Sequence, residues 1–199
     1  MRIKENVSNK IVINKSEFIC YLAKCYDETE CRSFIDEIRK EHSQATHVCT
    51  AYITNHNMIK KTSDDGEPAK TAGMPMLDAL QKNDMEDICA CVVRYFGGIK
   101  LGAGGLIRAY SNAVSEALKL SVKVEVVKMY IYQLKFTYDW IDKLNYYLKD
   151  IYIANKEYEE MVCYTLYLNS KDEAKKIYEF VNGKFDLVFI EEKEVEKEV

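Results

Sequence analysis

Residues Val92–Arg108 read V-V-R-Y-F-G-G-I-K-L-G-A-G-G-L-I-R, and the fold turns on this stretch. The apolar run Ile88–Phe96 reads as a strand buried on both faces. It enters a glycine-rich turn, which opens into an amphipathic helix expected over Leu106–Leu120, with Arg108 in its first turn. Five of the eight glycines fall here: Gly97, Gly98, Gly102, Gly104 and Gly105. Such density points to left-handed backbone or close approach of another chain segment. A strand, a glycine turn and a helix N-terminus together aim N–H groups outward, with the positive end of the helix dipole behind them. Lys100 and Arg108 add full charges and Arg94 supports one wall, so the physical reading is a phosphate or anion site. The spacing matches neither the P-loop nor the dinucleotide fingerprint, which leaves open a simple tight turn that lets the helix pack on the strand.

The second informative stretch, Lys60–Pro75, reads K-K-T-S-D-D-G-E-P-A-K-T-A-G-M-P and holds both prolines of the chain. Pro68 and Pro75 restrict themselves and their predecessors, so this reads as an ordered loop, with a short helix Met76–Leu80 after it. Asp64, Asp65 and Glu67 place three carboxylates within four positions. They suit a hard cation or polar ligand atoms, or they simply build the turn. Ser63, Gly66, Lys70 and Thr71, with His47 from a neighbouring strand, complete the expected loop wall. The EF-hand spacing is absent, and no metal or cofactor is expected.

S-D-D-G-E-P at 63–68, T-A-G-x-P at 71–75, the run 92–110 and A-T-H-V-C at 45–49 together resemble the signature of the IMPACT family, bacterial YigZ-type branch. The motifs span about residues 15–120. One departure is Lys70, where the family usually has glycine or another small residue before T-A-G. The resemblance implies an α+β, two-domain fold. Its N-terminal domain would look like the second domain of a small-subunit ribosomal protein, a βαβ-type fold also used in domain IV of elongation factor G. The C-terminal domain would look like domain V of that factor. It also implies a link to translational control, which in eukaryotic relatives runs through a partner of a starvation-sensing kinase. That role is associated with an additional protein-binding domain, for which no matching segment is expected here, so it does not transfer directly.

Composition agrees with a globular chain. Of 199 residues, 48% are hydrophobic and 30% charged. No apolar run approaches the ~20 residues of a membrane span, and the N-terminus lacks the apolar region of a signal peptide. Seven scattered cysteines with no C-x-x-C argue against a disulfide framework or zinc, and a reducing cytoplasmic compartment is expected. Cys89 and Cys91 share a strand face as small hydrophobes. The net charge of −4 arises wholly after residue 120. The first 120 residues balance, so any nucleic-acid contact must be local to Arg94, Lys100 and Arg108.

A boundary near Ser121–Glu125 divides the chain into 1–121 and 122–199. The second part reads strand (Val126–Tyr138), helix (Asp139–Lys149), strands (Ile151–Asn155 and Glu160–Asn169), helix (Lys171–Val181) and strand (Phe185–Glu191), the ferredoxin-like βαββαβ order. Asp139 and Ser170 stand at helix-cap positions, Asn182-Gly183 ends the second helix, and the acidic C-terminal tail reads as frayed. Tyr130, Tyr132, Tyr164 and Tyr167 suit either an RNA-stacking platform or sheet packing, and this half is a candidate surface for a protein partner.

His47 and Cys49 share a strand face and could act as base and nucleophile. His47 with the acidic loop could instead form a metal- or anion-binding pocket of a small-molecule hydrolase or transferase. No third catalytic member is identifiable. The expected function is therefore a non-catalytic binding protein of RNA or ribosome phosphates, linked to regulation of translation.

Overall fold

The computed structural model describes Met1–Val199 as two compact units, Met1–Glu125 with Glu198–Val199, and Val126–Lys197. Both mix sheet and helix. No helix is long and apolar enough to cross a membrane.

The first unit carries strands β1 (Arg2–Ile3), β2 (Val7–Ile13), β3 (Ser16–Lys24), β4 (His47–Thr54), β5 (Ile59–Ser63) and β6 (Ile88–Tyr95). Its helices are α1 (Glu28–Glu41), α2 (Gly73–Lys82) and α3 (Gly102–Leu120). The main sheet has the order β2-β3-β6-β4-β5, all pairs antiparallel. β6 is central, and its alternation explains its continuous apolarity. Ile88, Ala90 and Val92 join the core shared with α2 and α3, whereas Cys89, Cys91 and Val93 join the one shared with α1.

Local chemistry sets several joints. Asn14 and Lys15 both have positive φ, 46° and 64°, forming a two-residue hairpin turn between β2 and β3 whose twist matches the strands. β2 begins at Val7, earlier than the expected Ile11. Its alternate exposure is that of an edge strand, where polar residues hide the pattern. Asp27 caps α1, accepting from the Thr29 and Glu30 N–H groups, and the Glu30 carboxylate accepts from Tyr26 N–H.

The joints around the glycine and acidic stretches also differ from expectation. β5 occupies part of the stretch read as loop, with Lys60 and Lys61 exposed on an edge strand. α2 starts at Gly73, ahead of the expected Met76, with Pro75 inside its first turn, where its missing N–H costs no helical bond. α3 likewise starts at Gly102, four residues before Leu106. Arg108 therefore lies in the second turn, and Gly102, Gly104 and Gly105 belong to the start of the helix. The helix buries Leu106, Ala109, Tyr110, Ala113, Val114, Ala117 and Leu118 along one stripe.

The second unit contains β7 (Lys123–Phe136), which begins in the first unit, then α4 (Ile141–Tyr147), β8 (Tyr152–Tyr158), β9 (Val162–Leu168), α5 (Lys171–Phe180) and β10 (Leu187–Glu198). β7 pairs with both β10 and β9, and β9 pairs with β8. Ser170 caps α5 through Glu173 N–H, and Gly183, with φ +65°, follows its end. Asp139 caps nothing: it lies in a 3₁₀ turn, Tyr138–Trp140, ahead of α4. The tail read as frayed is the long strand β10, whose Glu192 pairs with Lys128 on β7. Alternating Glu, Lys and Val is a solvated strand pattern as well as a disordered one.

Candidate functional site

The site is assembled on one row of the sheet. Arg94 on β6 lies directly opposite Phe18 on β3 and His47 on β4, so all three project toward the α2–α3 side. There the Arg94 guanidinium meets Glu67, with Nη1 donating to Oε1 at 2.5 Å. The Tyr110 hydroxyl of α3 donates to the same oxygen at 2.8 Å. The pair is buried, with Arg94 5% and Glu67 9% exposed. Arg94 also lies against the rings of Phe18 and Phe96, 5.4 and 5.6 Å from their centroids. Its Nε–H is buried without a hydrogen-bond partner. His47 donates from Nδ1 to the Asp65 carbonyl oxygen at 2.7 Å, which leaves Nε2 on the side of Glu67 Oε2, 3.8 Å away.

Most of the S-D-D-G-E-P loop holds its own backbone. Asp64 accepts from three N–H groups: Ala72 and Gly73 on Oδ1, at 3.0 and 2.8 Å, and Lys70 on Oδ2, at 2.8 Å. It thereby serves α2, which has no side-chain cap of its own, from nine residues away in the chain. Burial alone would raise the Asp64 pKa, but the three N–H donors outweigh it and the pKa falls below the ordinary aspartate value. Asp65 accepts from Val48 N–H and lies 3.5 Å from Arg39. The Ser63 hydroxyl accepts from Asp65 N–H, and the Thr71 hydroxyl donates to the Pro68 carbonyl. Gly66, with φ +85°, lies under the His47 ring.

The departure at Lys70 has a backbone cost. Its φ is +63°, in the left-handed region that favours glycine. We predict that Lys70→Gly stabilises the protein by about 0.5–1 kcal/mol, raising Tm by roughly 1–4 °C in thermal unfolding. An unchanged or lower Tm would mean that the Lys70 side chain compensates the strain.

The two informative stretches meet. A cavity of about 410 Å³ is lined by His47, Glu67, Pro68, Arg94, Phe96, Lys100 and the start of α3 from Leu101 to Ala103, with Thr46 and Leu106. No side chain caps the N-terminus of α3, so its positive dipole end faces the cavity beside Lys100. Ser63, Asp64, Asp65, Gly66, Lys70 and Thr71 do not line the cavity. They were expected to form its wall, but their polar groups fix the loop that delivers Glu67 and Pro68.

The glycines also divide. Gly97 serves packing, because a Cβ there would lie 2.0 Å from the Lys15 carbonyl carbon, and its N–H donates to Ser16 Oγ. Gly98 and Gly102 adopt φ of +84° and +68°. Gly102 lines the cavity, and Gly105 lines a separate groove of about 640 Å³ with Arg108, Asn14, Ser111 and Asn112. Gly104 lies near the Arg108 guanidinium. Arg108 and Lys100 thus do not share one concavity: Leu106 of α3 lines the cavity with Lys100, whereas Arg108, two residues on and about 200° around the helix, lines the groove. Leu101 borders both.

The sequence reading missed Tyr110 and Phe96, and with them the lining residues Thr46, Pro68, Leu101, Ala103 and Leu106. Tyr110 looked like an ordinary stripe position, and Phe96 looked like the end of a strand. The available signal was chemical: a tyrosine hydroxyl in a buried stripe requires an acceptor.

The pairing of His47 with Cys49 as base and nucleophile loses its geometry. Cys49 is buried, its thiol directed to the Asp64 carbonyl, and burial with the nearby carboxylates pushes its pKa up to about 12. Asp64 and Asp65 are engaged away from the cavity, so of the three loop carboxylates only Glu67 meets His47 there. The tyrosine platform is likewise divided. Tyr130, Tyr132 and Tyr164 pack with the core of the second unit, whereas Tyr167, opposite Ile131, lies on the other sheet face against Tyr152.

Comparison with known proteins follows the same lines. Residues 14–118 match the Impact N-terminal domain. The chain is 44% identical over 191 residues to the IMPACT family member YvyE of Bacillus subtilis, covering 93% of this chain and 88% of that protein. It is 35% identical to the IMPACT family member YigZ of Escherichia coli, covering 90% and 92%. A crystal structure described as a hypothetical protein superposes with a TM-score of 0.60 at 33% identity, covering 95% of this chain and 96% of that one. The match to the domain and the near full-length relatives agree: this chain belongs to the IMPACT family.

Proposed function

We propose that this protein binds RNA, on the ribosome, through its first unit and acts in the regulation of translation without catalysing a reaction. The observation that carries this reading is the convergence of the acidic loop and the glycine segment on one cavity, with exposed Lys100 and the uncapped start of α3 at its edge. Arg94 is neutralised by Glu67, which leaves Lys100 and the helix dipole as the phosphate-attracting elements. Arg108, in the adjoining groove, supplies a second phosphate contact. The IMPACT-family link to translational control supports the ribosomal setting. So does our reading of the two units as counterparts of elongation factor G domain IV, or the ribosomal protein domain, and of the ferredoxin-like domain V. The second unit is left as the surface for a protein partner.

Lys100→Ala and Arg108→Ala are each expected to weaken co-sedimentation with ribosomes and to reduce the slope of log affinity against log salt by about 0.7–0.9 per lost phosphate contact. Both residues are exposed, so Tm should hold. Identical salt series for wild type and the double variant would refute the assignment.

A further inference from the structure

Resting on the RNA reading above, we propose that the protein takes single-stranded RNA, with one unpaired base inserted into the Glu67–Arg94 cavity and the strand continuing past Leu101 into the Arg108 groove. The cavity holds about 410 Å³, in the size range of small-molecule sites and too confined for a duplex. Its wall is largely apolar, from Pro68, Phe96, Leu101, Ala103 and Leu106. Phosphate alone has no use for such a lining, whereas a base does. Phe96 is 47% exposed although it is a large aromatic at the cavity, with the Arg94 guanidinium close to its ring. An aromatic backed by a cation is a stacking element for any base.

Polar groups at the cavity suit a base edge. Arg94 is 95% buried, and its Nε–H lacks a partner. Glu67 Oε1 accepts both the Arg94 and Tyr110 bonds, while Oε2 stands 3.8 Å from His47 Nε2. Lys100 and the start of α3 then lie where the phosphate of the inserted nucleotide would sit. The adjoining groove, about 640 Å³ with Arg108, Ser111, Asn112 and Asn14, offers hydrogen-bonding groups and one charge but little aromatic surface. That is a lining for sugar–phosphate backbone. The shared border at Leu101 makes the two concavities consecutive along one strand.

The test measures binding of the full chain to a single-stranded RNA oligonucleotide carrying 2-aminopurine, to the same sequence as a duplex, and to free nucleoside 5′-monophosphates. Wild type, Phe96→Ala, Phe96→Trp and Lys100→Ala are compared. The inference predicts preference for the single strand, quenching of 2-aminopurine on binding, and a loss of roughly 5- to 150-fold in Phe96→Ala, as for removal of one base–aromatic stack. Phe96→Trp should restore affinity. Equal binding of strand and duplex, with Phe96→Ala silent and Lys100→Ala weakened, overturns base insertion while leaving RNA binding in place. Monophosphates that bind as tightly as the oligonucleotide overturn the strand path. No RNA binding by any form overturns this inference together with the function it rests on.

Discussion

Glu67→Ala is expected to destabilise the protein by about 3–5 kcal/mol, because it leaves the Arg94 guanidinium buried with no counter-charge. The Tyr110 hydroxyl loses its acceptor in the same step. Urea unfolding followed by far-UV circular dichroism would show the midpoint falling, and Tm would drop by about 10 °C. A matched control distinguishes the lost pair from the lost volume. Replacing both partners, as Glu67→Met with Arg94→Met, removes the stranded charge and should recover much of the loss, since apolar replacements of buried pairs are often neutral or better. A loss below ~1 kcal/mol in Glu67→Ala would mean that water reaches Arg94 and that the pair contributes little to stability. This result also bears on the site, because it separates the charge that builds the cavity from Lys100, which is available to a ligand.

Asp64→Ala carries the second large effect, about 2–4 kcal/mol, from a different cause. Three backbone N–H groups lose one carboxylate, at Lys70, Ala72 and Gly73, and each unsatisfied donor costs up to ~1–3 kcal/mol, reduced here by partial solvent access. The effect depends on pH with a definite sign. The folded pKa of Asp64 is depressed, so its contribution is complete above the unfolded value of about 3.9 and disappears as pH falls through the lower folded value. Wild type should therefore lose stability on acidification from about pH 4 downward, and Asp64→Ala should follow a shallower acid limb. Parallel acid limbs for the two proteins would show that Asp64 does not titrate with folding. The two variants also separate local roles, since Asp64 shapes the path from β5 into α2 while Glu67 joins that path to β6 and α3.

These predictions also show where sequence reading was strong. The run Ile88–Phe96 reads as a strand buried on both faces, which holds for Ile88–Arg94 while Phe96 lies beyond the strand and is exposed, and the apolar stripe of α3 is visible by period alone. Asp27 and Ser170 were legible as caps because a cap and its donors lie within three residues. Asp64 was not, because its partners lie six to nine residues away and depend on how the loop turns. β5 and β2 were hidden or shortened for another reason: an edge strand exposes one side, so polar residues weaken its alternation.

Sequence by itself determined the α+β character, the family and the two stretches on which the site is built, because periodicity, turn chemistry and long ungapped motifs are local properties of the chain. Only the tertiary structure decided which carboxylate meets Arg94, that Asp64 is a remote helix cap, and that Lys100 and Arg108 face different concavities. It also decided that the four tyrosines divide between sheet faces. The physical reason is that a buried ion pair and a cavity depend on strand register and helix phase. A helix turns about 100° per residue, so once the stripe of α3 packs on the sheet Arg108 stands about 200° around from Leu106 and meets a different concavity.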